Sequence, residues 1–176
     1  MGNSNNTTLN ITEIFFSLQG EAREVGLPTV FVRLTGCPLR CNYCDTTYAF
    51  KGNNPLTIDH ILDEVSKYNT SYVCVTGGEP MAQSNCLELL DSLVEAGYQV
   101  SMETSGSVDI SPVNSKVSIV MDIKTPSSTE EKQNRYENLS LLQSKDQLKV
   151  VIASKSDFDW CCDLLEKNKV KSETLF

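Results

Sequence analysis

The stretch Thr35-Gly36-Cys37-Pro38-Leu39-Arg40-Cys41-Asn42-Tyr43-Cys44-Asp45-Thr46 carries three cysteines spaced C-x3-C-x2-C. It follows an apolar run, Val30-Phe31-Val32-Arg33-Leu34, that reads as a buried strand. Three thiolates on one loop suit soft iron. A [4Fe–4S] cube has four irons and usually takes four cysteines; with three on the loop, one iron keeps an open position for a ligand. A zinc site would want a fourth Cys or His close by. The only histidine, His60, falls in a predicted helix, and the next cysteine, Cys74, falls in a predicted strand. Disulfides fit poorly, because three close cysteines cannot all pair and the total of seven is odd.

Outward from this loop, apolar strands alternate with amphipathic segments. Strands are predicted over Asn10–Phe16, Val30–Leu34, Tyr72–Thr76, Tyr98–Glu103, Val117–Ile123 and Gln147–Ile152. Thr57 is placed to cap a helix with an apolar face of Ile58, Ile61, Leu62, Val65 and Tyr68. A second helix runs from Cys86 to Ala96, with Leu87, Leu90, Leu93 and Val94 inward and Gly97 as its stop. A third spans Asp157 to Asn168, with Phe158, Cys161, Leu164 and Leu165 as its stripe. The segment 127–138 is polar and reads as an exposed loop or weak helix. Cys74, Cys86, Cys161 and Cys162 fall in these patterns as core or incidental residues. The alternation predicts an α/β fold with a mainly parallel sheet.

In such sheets ligand sites gather beyond the C-terminal strand ends, and the distinctive motifs fall there. The first core strand feeds the cysteine loop. Later strands feed Thr76-Gly77-Gly78-Glu79-Pro80, Glu103-Thr104-Ser105-Gly106 and Asp122-Ile123-Lys124. One shared pocket follows from that clustering.

The 176 residues suffice for one domain with a real core. The formal net charge of −8 argues against a general nucleic-acid binder. No apolar run of about 18 residues exists, so no membrane helix is expected. Residues 1–10 read as a disordered tail without a signal-peptide core. Seven cysteines without such a core imply a reducing cytoplasm.

The cysteine spacing resembles that of the radical S-adenosylmethionine (SAM) enzymes, and Gly77-Gly78-Glu79-Pro80 resembles their SAM-binding turn. Leu18-Gln19-Gly20-Glu21, Phe31-Val32-Arg33, Cys37 to Thr46, Thr76 to Pro80 and Glu103-Thr104-Ser105-Gly106, in that order, resemble the 7-carboxy-7-deazaguanine synthases of queuosine and 7-deazapurine biosynthesis. The resemblance implies an incomplete (β/α) barrel of about six strands in the full family form, with fewer here. It implies conversion of 6-carboxy-5,6,7,8-tetrahydropterin to 7-carboxy-7-deazaguanine with loss of ammonia. Cys37, Cys41 and Cys44 would hold the cluster. Asn42, Tyr43, Asp45, Gly78, Glu103, Asp122, Ile123 and Lys124 would meet SAM. Leu18, Gln19, Gly20, Arg33 and Thr76 would meet the pterin, and Thr46 would hold Mg2+ beside its carboxylate. A reductant such as flavodoxin or ferredoxin and a homodimer complete the expectation.

Two departures accompany the resemblance. Ala22 stands where relatives commonly carry glycine, harmless if its φ is negative. The domain, 11–176, reads as lacking its C-terminal portion, with Glu173 to Phe176 as the opening of a strand. Two other readings compete: an activating enzyme for a glycyl-radical partner, such as anaerobic ribonucleotide reductase, and a non-enzymatic metal-binding domain.

Overall fold

The computed structural model describes residues 7–168, 170, 174 and 175. The strands are β1 (Thr8–Leu18), β2 (Pro28–Leu34), β3 (Pro55–Thr57), β4 (Tyr72–Gly77), β5 (Gln99–Thr104), β6 (Ser118–Ile123), β7 (Gln147–Val150) and β8 (Thr174–Leu175). They form one sheet in the order β3-β1-β2-β4-β5-β6-β7-β8. Pairings from β2 to β8 are parallel, and β1 pairs antiparallel with β2 and β3. This is the incomplete (β/α) barrel that the motif order implied. Its parallel strands number six among the described residues, so the expectation of fewer is corrected: β8 adds itself to β7 at Gln147 and Leu148.

The expected tail over 1–10 is corrected at its inner end. Thr8, Leu9 and Asn10 belong to β1, because Leu9 and Ile11 alternate into the core and Thr8 to Asn10 pair with β3. Residues 1–6 lie outside the described residues.

Period-two alternation divides each parallel strand between two faces. Val30, Val32 and Leu34 of β2, Val73 and Val75 of β4, Met102 of β5 and Met121 of β6 join one apolar core. The helices α1 (Ile58–Ser66) and α2 (Cys86–Glu95) complete that core through Ile61, Val65, Leu90 and Leu93. The intervening residues Phe31, Arg33, Thr76, Glu103, Asp122 and Lys149 line a cavity on the other face.

Thr57 caps α1 as expected, its hydroxyl accepting the His60 N–H at 3.2 Å. His60 is exposed and pairs with Glu64, so it is a surface residue. Two apolar stripes are rotated from their predicted positions. In α2 the buried residues are Cys86, Leu89, Leu90 and Leu93, while Leu87 and Val94 are only partly covered. In α3 (Lys155–Lys167) Phe158 is 55% exposed and Asp157 is buried in its place. The Asp157 carboxylate accepts the Ser127 and Ala153 N–H groups, each at 3.0 Å, and this sets the helix's rotation.

The segment 127–138 is also corrected. It is built from short 3-10 turns with Ser128 and Asn138 fully buried. Asn138 donates to the Gly106 and Val108 carbonyls at 2.9 and 2.7 Å. Asn134 accepts the Lys124 N–H and donates to its carbonyl, at 2.9 and 2.7 Å. Side-chain amides thus replace the ladder bonds that this irregular backbone lacks.

Candidate active site

The cysteine loop is fixed against the turn after β4 by backbone proximity. Gly78 N–H donates to Leu34 O at 3.2 Å, and Glu79 N–H donates to Gly36 O at 2.8 Å. A Cβ on Gly78 would lie 2.2 Å from Gly36 O and 2.7 Å from Cys37 Cβ. One on Gly77, whose φ is +151°, would lie 2.3 Å from Leu34 O. The double glycine therefore serves packing first: it lets the two loops touch. Arg40 braces the same loop, donating to the Cys37 and Leu39 carbonyls at 2.7 and 2.6 Å while its guanidinium lies 4.3 Å from the Phe50 ring centroid.

Glu79 follows the double glycine directly. It is fully buried. Its carboxylate accepts Met81 N–H (3.0 Å), Thr104 O–H (2.8 Å), and the N–H and hydroxyl of Ser105 (2.7 and 2.5 Å). Four donors compensate its burial and staple the turn after β4 to the end of β5.

Cys37, Cys41 and Cys44 are free, half-buried and on the wall of one cavity of about 530 Å3. Burial pushes the Cys37 and Cys41 thiols up; the Leu39 N–H opposes this at Cys37, and the Lys124 ammonium opposes it at both. Burial lowers the Lys124 pKa, but Asp122, 3.2 Å away, together with Cys41 and Tyr43 outweighs it, and the ammonium's pKa is raised. Asp122 Oδ1 is buried without a hydrogen-bond partner. Among the described residues no three His, Cys, Asp or Glu side chains converge on one point as a single metal ion would require. The three thiols line the cavity together with the Lys124 ammonium and the orphaned Asp122 oxygen, a donor set whose chemistry suits iron–sulfur ligation.

Polar side chains also line the cavity. Arg33 Nε donates to Glu13 at 2.7 Å, and Tyr48 O–H donates to the same oxygen at 2.8 Å. The Arg33 guanidinium lies 5.8 Å from the Phe15 ring, which stacks on Phe31 at 4.9 Å. The bond to Glu13 uses Nε and leaves the terminal fork for another acceptor. Glu103 accepts from Thr76 Oγ1 at 2.8 Å and from Gln19 Nε2 at 3.3 Å. Glu103, expected to meet SAM, is thus bonded to two residues expected to meet the pterin. Thr46 Oγ1 donates to Asp45 at 2.6 Å, which leaves its lone pairs for a cation.

Three expected site residues do not line this cavity. Leu18 is 64% exposed at the end of β1. Asn42 is exposed, and its N–H donates to Ser128 O at 3.1 Å. Ile123 is buried in the core, because alternation turns it away from the face that Asp122 shares with Lys149. Lys149, at the end of β7, lines the cavity and was not foreseen. Its signal was a charged residue between the apolar Leu148 and Val150.

A curved parallel sheet with a C-x3-C-x2-C loop at its C-terminal mouth defines a protein of the radical SAM class, and the sequence profile of the radical SAM superfamily matches residues 31–135. The chain is 38% identical to a 7-carboxy-7-deazaguanine synthase of Thermoplasma acidophilum, covering 89% of this chain and 76% of that protein. It is 41% identical to one of Koribacter versatilis, covering 93% and 75%. A crystal structure of QueE from Escherichia coli superposes with a TM-score of 0.81 at 22% identity, over 96% of this chain and 83% of that one. This chain belongs to the 7-carboxy-7-deazaguanine synthase family of radical SAM lyases.

Proposed function

We propose that this chain converts 6-carboxy-5,6,7,8-tetrahydropterin to 7-carboxy-7-deazaguanine with loss of ammonia. The observation that carries the reading is the shared cavity, which Cys37, Cys41 and Cys44 line together with Arg33, Thr76 and Gln19. Cluster and SAM, when bound, supply a carbon-centred radical that removes a hydrogen from the substrate.

The chain's own residues supply position. Arg33 offers a planar fork to the pterin carboxylate, already oriented by Glu13. Thr46 would hold Mg2+ for that carboxylate, its hydroxyl proton directed at Asp45 so that its lone pairs stay available to the cation. Glu103 accepts from Thr76 and Gln19 and so sets the donors along the substrate wall. Tyr43, Gly78, Asp122 and Lys124 serve the SAM end. The buried wall of Val120 and Phe31 excludes water from the reacting centre. The same reading carries a cytoplasmic homodimer reduced by flavodoxin or ferredoxin; no described helix is long and apolar enough to cross a membrane.

The test is anaerobic incubation of reconstituted protein with SAM, reductant and carboxytetrahydropterin, with and without Mg2+, followed by mass spectrometry. Formation of 7-carboxy-7-deazaguanine with SAM recycled supports the proposal. Cluster loading and SAM cleavage without that product overturn the substrate assignment.

A further inference from the structure

The loop 19–27 joins β1 to β2, yet it fastens on the far side of the cavity. Glu21 pairs with the Lys149 ammonium of β7. Arg23 Nη2 donates to Ser144 O, 3.4 Å away, just before the same strand. In the sheet, β4, β5 and β6 lie between β2 and β7. The loop is therefore a strap across the cavity, and Lys149 is the cation to which Glu21 is tied.

Lys149 is not needed simply to neutralise Asp122. Asp122 Oδ2 is 3.2 Å from Lys124 and 3.8 Å from Lys149. The closer partner of Lys149 is Glu21. Glu21 N–H in turn donates to Gln19 Oε1 at 3.2 Å, and Gln19 Nε2 donates to Glu103 at 3.3 Å. A displacement of Glu21 thus reaches the Gln19–Glu103–Thr76 wall through two hydrogen bonds. The Glu21 side chain is 46% exposed, so the pair contributes little to global stability. Its effect falls on where the strap sits.

We propose that Lys149 is a positioning residue that holds the Leu18–Glu21 segment over the substrate through its ion pair with Glu21. The proposal rests on the pterin reading above. Losing the latch leaves the cluster end assembled and loosens the strap, so substrate binding weakens more than the chemical step.

The experiment uses the anaerobically reconstituted full chain as wild type, Lys149→Met, Lys149→Arg, Glu21→Gln and the Lys149→Met/Glu21→Gln double variant. Lys149→Met should raise KM for the pterin by about three- to fivefold while lowering kcat by less than about twofold. Lys149→Arg should restore most of the loss, and the double variant should behave like either single one. Trypsin cleavage of the Arg23–Glu24 bond, followed by mass spectrometry, should accelerate in Lys149→Met and not in Lys149→Arg. An unchanged KM with unchanged Arg23 cleavage in Lys149→Met overturns the latch. So does a fall in kcat with KM unchanged, which would assign Lys149 to the chemistry. If the wild type fails to turn over the pterin, the functional reading fails, and the Arg23 cleavage rates still decide whether the strap is latched.

Discussion

The cysteine loop and the strap line one cavity and are held by different forces. Residues 36–40 are fixed by backbone atoms at contact distance, with Gly78 admitted only because it lacks a Cβ. Residues 19–27 close on themselves through backbone bonds such as Gly26 N–H to Gln19 O, but they reach across the cavity through side chains: the Glu21–Lys149 ion pair, the Arg23–Ser144 bond and the Gln19–Glu103 bond. Backbone contact and buried hydrogen bonds tolerate sub-ångström error and little more, whereas a half-exposed ion pair contributes roughly 0–1 kcal/mol and yields easily. The end that must hold a cluster is preorganised, and the end that must admit a substrate can move.

The largest expected effect breaks the rigid end. Gly78→Ala forces a methyl into Gly36 O and the Cys37 side chain. It should cost about 3 kcal/mol or more, or displace the loop. Iron content after anaerobic reconstitution should fall well below about four per chain. Unchanged iron and an unchanged denaturation midpoint would show that the loops are not in contact.

Glu79→Gln comes next. It keeps shape but turns one oxygen into an NH2 group facing N–H or O–H donors. The loss should be about 2–4 kcal/mol, read from urea unfolding. A near-neutral result would mean that the carboxylate is not the staple between β4 and β5.

A pH effect separates the far end of the sheet from both. Burial raises the Asp157 pKa, but hydrogen bonds from Ser127, Ser154 and Ala153 outweigh it and hold it to about 2, below the ordinary value of 3.8. A depressed folded pKa stabilises above the unfolded value. That contribution is present above about pH 4 and is lost as pH falls toward about 2. Melting temperatures from pH 5 to pH 2 should fall more steeply in wild type than in Asp157→Asn. Parallel curves would remove Asp157 from the account.

The smallest effect sharpens the strap. Ala22 has φ +63°, so the negative φ that would have made it harmless is not what the fold uses. A left-handed L-residue costs roughly 1–2 kcal/mol, and glycine returns part of that as unfolded-state entropy. Ala22→Gly should therefore stabilise by about 0.5–1 kcal/mol, measured by thermal unfolding. Destabilisation would indicate that the methyl, which is buried, packs usefully.

Much of this arrangement was legible in sequence because it is local. β2 and β4 to β6 announced themselves as apolar runs ending in motif loops, β7 as a run without one, and the cysteine loop pointed to the chemistry. Alternation alone separates the Ile123 side chain from the cavity face that Asp122 shares. Glu79, Glu13 and Lys149 were harder. Their partners lie far along the chain, and a carboxylate's role depends on whether it meets donors, a cation or water. Phe158 illustrates the same limit: its stripe was correct in period, but the buried anchor of α3 is the polar Asp157.

The central claim is that this cavity couples a radical source to a carboxylated substrate held by Arg33. The direct measurement is the amount of 7-carboxy-7-deazaguanine formed per SAM cleaved, in wild type and in Arg33→Ala, with iron content matched. A charge-assisted hydrogen bond contributes roughly 1.5–3 kcal/mol. Pterin turnover in Arg33→Ala should fall about ten- to a hundredfold while slow uncoupled SAM cleavage persists. Unchanged pterin turnover in Arg33→Ala, or equal loss of both activities at equal iron content, would contradict the account.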